Sequence, residues 1–302
     1  MTDIEKKKFP IGTGLNPTPP DSRDFSFGAV FGAVPLTDLP QGDFFVSVPL
    51  VMKDQGDNDK CSAYALTAVS EDQEEIELSP DYQFAKTKQI MGEWESWGAD
   101  LRSACKSAVD FGSITQFLFE ETTRDLDPSL PPDMDLAIWL RNWKNWPAVL
   151  DKTAEKHKKK SYFKIDGPYD IFDNFRSALW QNRAEERSIL TGCVWRPSWV
   201  NAPKGVIPND PEQGGFGHAF KIYGQKVIDG TLYLAAQLSN GTQIGDGGKF
   251  YFSRETVNRE FTFGGYTFKD MPAETAKELS RLRLSQKWMW LARLLAYLAK
   301  LI

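Results

Sequence analysis

The sequence predicts an α+β fold in which helices come first and strands second, and three observations carry that expectation. Apolar residues recur at helical spacing from about residue 58, strand-like apolar runs take over from Ser161, and glycine-rich turns punctuate the second half. A chain of 302 residues is long enough for one large two-lobed domain with tails. Its net charge of −5 gives no general attraction to nucleic acid, so no nucleic-acid partner is expected.

Residues 1–44 are rich in Pro, Gly and Asp without a helical period, and they are expected to form an extended arm wrapped on the surface. The opening Met1 to Lys8 has no apolar stretch of the secretory type, so no classical signal peptide is expected. The polar turn Lys53 to Lys60 then runs into Cys61-Ser62-Ala63-Tyr64-Ala65-Leu66, the start of a small-residue apolar helix with Asp59 as its expected cap and an end near Leu78. A second helix is expected over Pro80 to Met91, and a third from Ala99 to Phe111, stopped by Gly112. Trp139, Trp143 and Trp146 form a stripe at helical spacing that fits core or cover, and Lys152 to Lys160 fit a solvated face.

In the strand-rich half, one helix is expected from about Tyr169 to Gln181 and a buried strand over Ile189 to Trp195. A proline-rich loop, Arg196 to Gly214, leads to a strand that opens at Gly217-His218-Ala219-Phe220. A further strand, Thr231 to Gln237, ends in the turn-rich Ser239-Asn240-Gly241-Thr242-Gln243-Ile244-Gly245-Asp246-Gly247-Gly248, and Lys249 to Phe252 resumes as strand.

Residues 271–302 read as a basic amphipathic helix. Leu284, Trp288, Leu291, Leu295, Leu298 and Ile302 fall at heptad spacing, with Lys277, Arg281, Arg283, Lys287, Arg293 and Lys300 beside them. The apolar part is too short and too charged for a membrane span, which needs about 20 mainly apolar residues. Such a helix lies on an anionic membrane surface, packs on a partner or on copies of itself, or docks on its own domain.

Chemistry concentrates at two points. Cys61, in the first turn of a helix, faces unpaired backbone N–H groups and the positive end of the helix dipole, which favour a thiolate. An inert core cysteine is the alternative, and it is the expectation for Cys105 and Cys193. Gln55, upstream of Cys61, can return to the same place with a side-chain N–H for an oxyanion. Of the two histidines, His157 sits in a cationic run, whereas His218 stands at the mouth of a strand. The three cysteines contain no Cys-x-x-Cys pair and provide neither a disulfide framework nor a zinc site, so no metal or other cofactor is expected.

Taken together, these motifs resemble papain-like cysteine peptidases, in particular their bacterial, archaeal and viral branch. The resemblance rests on Pro20-Asp21-Ser22-Arg23-Asp24-Phe25, on Asp54-Gln55-Gly56 followed by Cys61-Ser62-Ala63-Tyr64-Ala65, and on Leu78-Ser79-Pro80. Gly98-Ala99-Asp100-Leu101-Arg102-Ser103-Ala104, Gly217-His218-Ala219-Phe220 and Gly241 to Gly248 complete it, over roughly residues 18 to 255. It implies a papain-like two-lobed domain over 45–270, with a helical lobe over about 45–160 and an antiparallel, β-barrel-like lobe over about 161–270. It implies a peptide or protein substrate, Cys61 as nucleophile, His218 as base and Gln55 in the oxyanion hole.

Two positions depart from the family pattern. Ser62 stands where tryptophan usually follows the nucleophile, and Leu238 falls where the family has the asparagine that orients the histidine. Asn240 falls at the tryptophan position, and a slip of the strand end would bring Asn240, Ser239 or Gln237 to the imidazole. The disulfides of the secreted relatives are missing, which implies a reducing compartment. The readings that compete with a peptidase are a catalytically impaired scaffold that binds a protein, and an amidase acting on cell-wall peptides.

Overall fold

The computed structural model describes residues 13–19, 21, 24–94, 96–124, 148–209 and 214–269. The tryptophan stripe 139–146 and the expected helix 271–302 lie outside the described residues. Eight helices are described: α1 Phe27–Phe31, α2 Cys61–Glu74, α3 Pro80–Met91, α4 Leu101–Asp110, α5 Gln116–Arg124, α6 Ala148–Ala154, α7 Ile171–Asn182 and α8 Arg254–Glu260. The strands are β1 Phe44–Phe45, β2 Ser161–Lys164, β3 Ile189–Trp195, β4 Phe216–Ile228, β5 Thr231–Gln237, β6 Lys249–Ser253 and β7 Gly265–Lys269.

Helix α2 runs through the middle of the molecule, and 11 of its 14 residues are buried. Its run of Ala, Ser and Thr leaves little side-chain bulk, so helices α3 and α4 on one side and strand β4 on the other can approach it closely. It begins at Cys61, but the cap is not Asp59: Lys60 holds the cap position without a side-chain bond, and Asp59 Oδ2 instead accepts from the backbone N–H of Gly98 at 2.6 Å. It ends at Glu75 in the left-handed region, φ 53°, short of Leu78, because the Glu71 side chain turns back to accept from the Leu78 N–H at 2.8 Å. Helix α3 has the expected limits, with Ser79 as cap, Pro80 at its first position and Gly92 at φ 70° as its stop. Among the cations expected on a solvated face, Lys159 is buried instead, pairing with Glu74 at 2.7 Å.

The seven strands form one sheet in the order β2-β7-β3-β4-β5-β6, antiparallel throughout, with β1 pairing β4 beyond the end of β3. No closed barrel forms among the described residues. Both ends of the sheet are capped by loops: Lys164 N–H of β2 donates to Phe25, and Ile207 N–H donates to Tyr251 of β6. Each edge strand thus meets a loop rather than the other edge strand. Strands β4 and β5 meet at Asp229-Gly230, both with positive φ, the tight hairpin geometry suited to twisted strands.

The sheet separates two apolar clusters. On one face Trp195, Trp199, Phe220, Phe250, Phe252 and Phe261 interlock edge to face beside α7. On the other, Leu190, Ala219, Tyr266 and Phe268 pack with Cys61, Leu66 and Val69 of α2. Strand alternation assigns the two faces of β4, with Phe220 and Ile222 turned to the aromatic cluster and Ala219 and Lys221 to α2.

Candidate functional site

Cys61 is fully buried at the tip of α2. Three backbone groups favour its ionised form, those of Ala219, Ser62 and Cys61 itself, and two of them are first-turn amides with no helical partner. Burial nevertheless dominates and pushes the thiol up to about 12, with Asp59 adding to the shift. Burial thus works against the thiolate expected from the sequence: desolvation outweighs the amides and the helix end.

His218 stands on β4, opposite Cys193 of β3 and next to the Ala219 that touches the thiol. Its ring lies 5.6 Å from the Trp195 ring, at 68°, and is fully buried. Neither ring nitrogen has a hydrogen-bond partner, so no bond joins it to Cys61. Burial holds its pKa down to about 4; the Asn240 amide lies against the ring and favours the charged form. Both polar atoms of the Asn240 side chain also lack a fully formed hydrogen bond, so the two groups face each other unsatisfied. Leu238, by contrast, points into the aromatic cluster and is 2% exposed.

The loop that carries Asn240 is fastened to the loop that carries Gln55. Gln55 N–H donates to Ser239 O at 2.8 Å, Ser239 Oγ donates to Gln55 Oε1 at 2.6 Å, and Gly241 N–H donates to Lys53 O at 3.0 Å. With its oxygen held by Ser239, the Gln55 amide can only turn its NH₂ the other way, and one of the two N–H groups goes to Asn58 O at 3.0 Å. A second donor on the same nitrogen is left for another acceptor. The four residues singled out from the sequence are thus linked in sequence: Cys61 to β4 at Ala219, His218 to Asn240, Asn240 through its loop to Gln55, and Gln55 by six residues of chain back to Cys61.

Two features were not read from the sequence. Lys221, three residues beyond His218, pairs with Asp72 of α2 at 2.7 Å with both side chains almost inaccessible, and Ser188 donates to the same carboxylate. A lysine inside the apolar run Ala219 to Tyr223 was the available signal. The second is the arm. Gly14 and Leu15 N–H groups donate to Gly217 O, Ala99 N–H donates to Gly14 O at 2.9 Å, and Asn16 N–H donates to Ala99 O at 3.1 Å. Residues 13–15 are buried between the helical side and the histidine strand rather than laid on the surface. Leu15 shares an apolar cluster with Cys61 and Ala219.

Glycines permit this approach. A Cβ at Gly98 would stand 1.7 Å from Gly14 O, and one at Gly217 would stand 2.1 Å from Leu15 O. Farther along, Arg102 grips Asp24 with Nε at 2.8 Å and also donates to Pro19 O, so two of the sequence motifs meet in one bidentate pair.

The two-lobed α+β fold is that of the papain-like cysteine proteases. Xylellain, a cysteine protease from Xylella fastidiosa, superposes with a TM-score of 0.67 at 21% identity, over 87% of this chain and 97% of its own. The cathepsin B proform S9 from Trypanosoma congolense does so with a TM-score of 0.55 at 14% identity, over 86% and 87%. Procathepsin L 3 of Tenebrio molitor larval midgut gives 0.53 at 13% identity, over 88% and 78%. No protein-family model matches the chain, and no curated protein matches it by sequence.

Proposed function

We propose that this protein is a cysteine-dependent peptidase held in a closed state by its own arm. The observation that carries the reading is the linkage of Cys61, Ala219-His218, Asn240 and Gln55 around one end of α2. In the open state, proton transfer from Cys61 to His218 gives a thiolate that attacks the scissile carbonyl carbon. The oxyanion takes the free Gln55 Nε2–H and the Cys61 backbone N–H, and the imidazolium gives its proton to the departing amine. Water, deprotonated by His218, then cleaves the thioester and restores the thiol. Asn240 orients the ring throughout. This role falls to Asn240 rather than to position 238 because Leu238 is committed to the core.

Arm residues 14–16 pair with Ala99 and Gly217 through backbone bonds that any extended peptide could make, with Leu15 filling the apolar space beside Cys61. Occupied in this way, the site is closed to water, and burial disfavours both the thiolate of Cys61 and the imidazolium of His218. The same burial favours a second reading, a scaffold that binds protein without turnover.

Casein cleavage and iodoacetamide labelling of Cys61 in a Leu15→Asp variant separate the two. Peptidase function predicts that Leu15→Asp labels faster than wild type, at lower pH, and cleaves casein, and that Cys61→Ala in the same background abolishes cleavage. Cleavage that survives Cys61→Ala overturns the mechanism. Slow labelling without cleavage in Leu15→Asp leaves the binding scaffold.

A further inference from the structure

Away from the cleft, a groove of about 570 Å³ opens between residues 45–50 and the C-terminal end of α2. One wall is apolar and open to solvent: Phe45 is 42% exposed, Val48 84% and Leu50 49%, half of the six large apolar side chains left exposed among the described residues. The opposite wall is acidic. Glu71 and Asp72 at its base are already neutralised by Lys53 and Lys221, each at 2.7 Å. Glu75 and Glu186 at its rim are exposed and carry no ion pair among the described residues. An apolar wall facing uncompensated carboxylates suits a ligand that is apolar on one side and cationic on the other.

Such a segment leaves the fold at this place. The last described residue, Lys269 at the end of β7, pairs with Glu185 at 2.9 Å, one residue from the rim carboxylate of Glu186. Residues 271–302 follow, with six cations against Glu274 and Glu278, and with Trp288, Leu291, Leu295 and Leu298 at heptad spacing. We propose that this basic, apolar segment docks in cis into the groove, laying its leucines and Trp288 on Phe45, Val48 and Leu50 and its cations beside Glu75 and Glu186. The inference is independent of the chemistry of Cys61.

The test is limited trypsin digestion of the full-length protein at Lys287 and Arg293, followed by mass spectrometry, with light scattering and flotation on anionic vesicles in parallel. Val48→Asp and the double variant Glu75→Gln, Glu186→Gln alter exposed side chains, so folding is retained and is checked by the thermal midpoint. Docking in cis predicts a monomer whose C-terminal sites are cut roughly tenfold faster in Val48→Asp, the factor that about 1.4 kcal/mol of lost docking produces. It predicts a smaller acceleration in the double glutamine variant that is mimicked by salt in wild type. Equal cutting in wild type and variants overturns the proposal. So does protection that appears only with a dimer's mass, which assigns the groove to a second copy, and so does protection gained only on vesicles and indifferent to Val48.

Discussion

Two segments pack against strand β4 near His218, and they are held by different physics. Helix α2 meets it with a continuous apolar face and the buried Lys221–Asp72 pair, to which Ser188 and the Ala68 carbonyl also bond. The arm residues 14–16 meet it with backbone bonds to Gly217 and a single large side chain, Leu15. The helix contact buries two charges that are satisfied by each other, by Ser188 and by the Ala68 carbonyl, so losing one of them strands the other out of water. The arm contact is made of peptide groups that water or another peptide replaces at little cost. On the proposed reading the first is permanent architecture and the second a replaceable occupant, which Arg102, through Asp24 and Pro19, fastens to the fold farther along the chain.

The largest effect is expected where the permanent contact is broken. Lys221→Met leaves Asp72 as an uncompensated buried carboxylate and should cost roughly 3–5 kcal/mol in urea unfolding at neutral pH. Adding Asp72→Leu should recover most of that loss. A double variant as unstable as the single one would mean that the pair is more than a staple.

The next effect comes from the neutral ring between the two contacts. With His218 held down to about 4 when folded against an ordinary value of 6.5, the unfolded chain takes up this proton first as pH falls. Stability is therefore full above pH 6.5 and declines by about 3 kcal/mol as pH drops to about 4, at 1.36 kcal/mol per unit. Urea midpoints across that range should show the decline in wild type and not in His218→Gln. A flat wild-type profile would mean that the ring titrates in the fold as it does in the unfolded chain, so that burial does not hold it down.

The smallest effect on stability, and the most telling for the comparison, belongs to the arm. Leu15→Ala should cost about 2 kcal/mol, the low end for a buried leucine, and that cost falls on arm closure rather than on the global fold. Iodoacetamide labelling of Cys61 should then accelerate by up to roughly thirtyfold while the urea midpoint barely moves. Equal loss of global stability and no gain in labelling would make the arm part of the core.

The elements whose identity was legible from sequence are those fixed by local rules. Ser79-Pro80 and Gly92 bracket α3, and β3 and β5 run over the apolar stretches expected of them. Cap choice at Cys61 was not local: Asp59 is drawn away to the Gly98 N–H, a partner 39 residues distant. That the sheet stays open among the described residues was likewise not local: its two edges meet loop residues Phe25 and Ile207, which nothing in the strand patterns announces.

By itself the sequence determined which groups could do chemistry, since a cysteine opening a helix, a glutamine in the turn before it and a histidine opening a strand are written in residue type and spacing. Tertiary structure alone decided their state and their partners. Whether Leu238 or Asn240 faces His218 depends on the path of the turn after β5, and turning Leu238 into the aromatic cluster leaves Asn240 for the ring. Whether Cys61 is thiol or thiolate depends on solvent, and packing among Leu15, Ala219 and Val69 excludes it. Propensity and capping act over a few residues, whereas burial and charge pairing are properties of atoms brought together from anywhere in the chain.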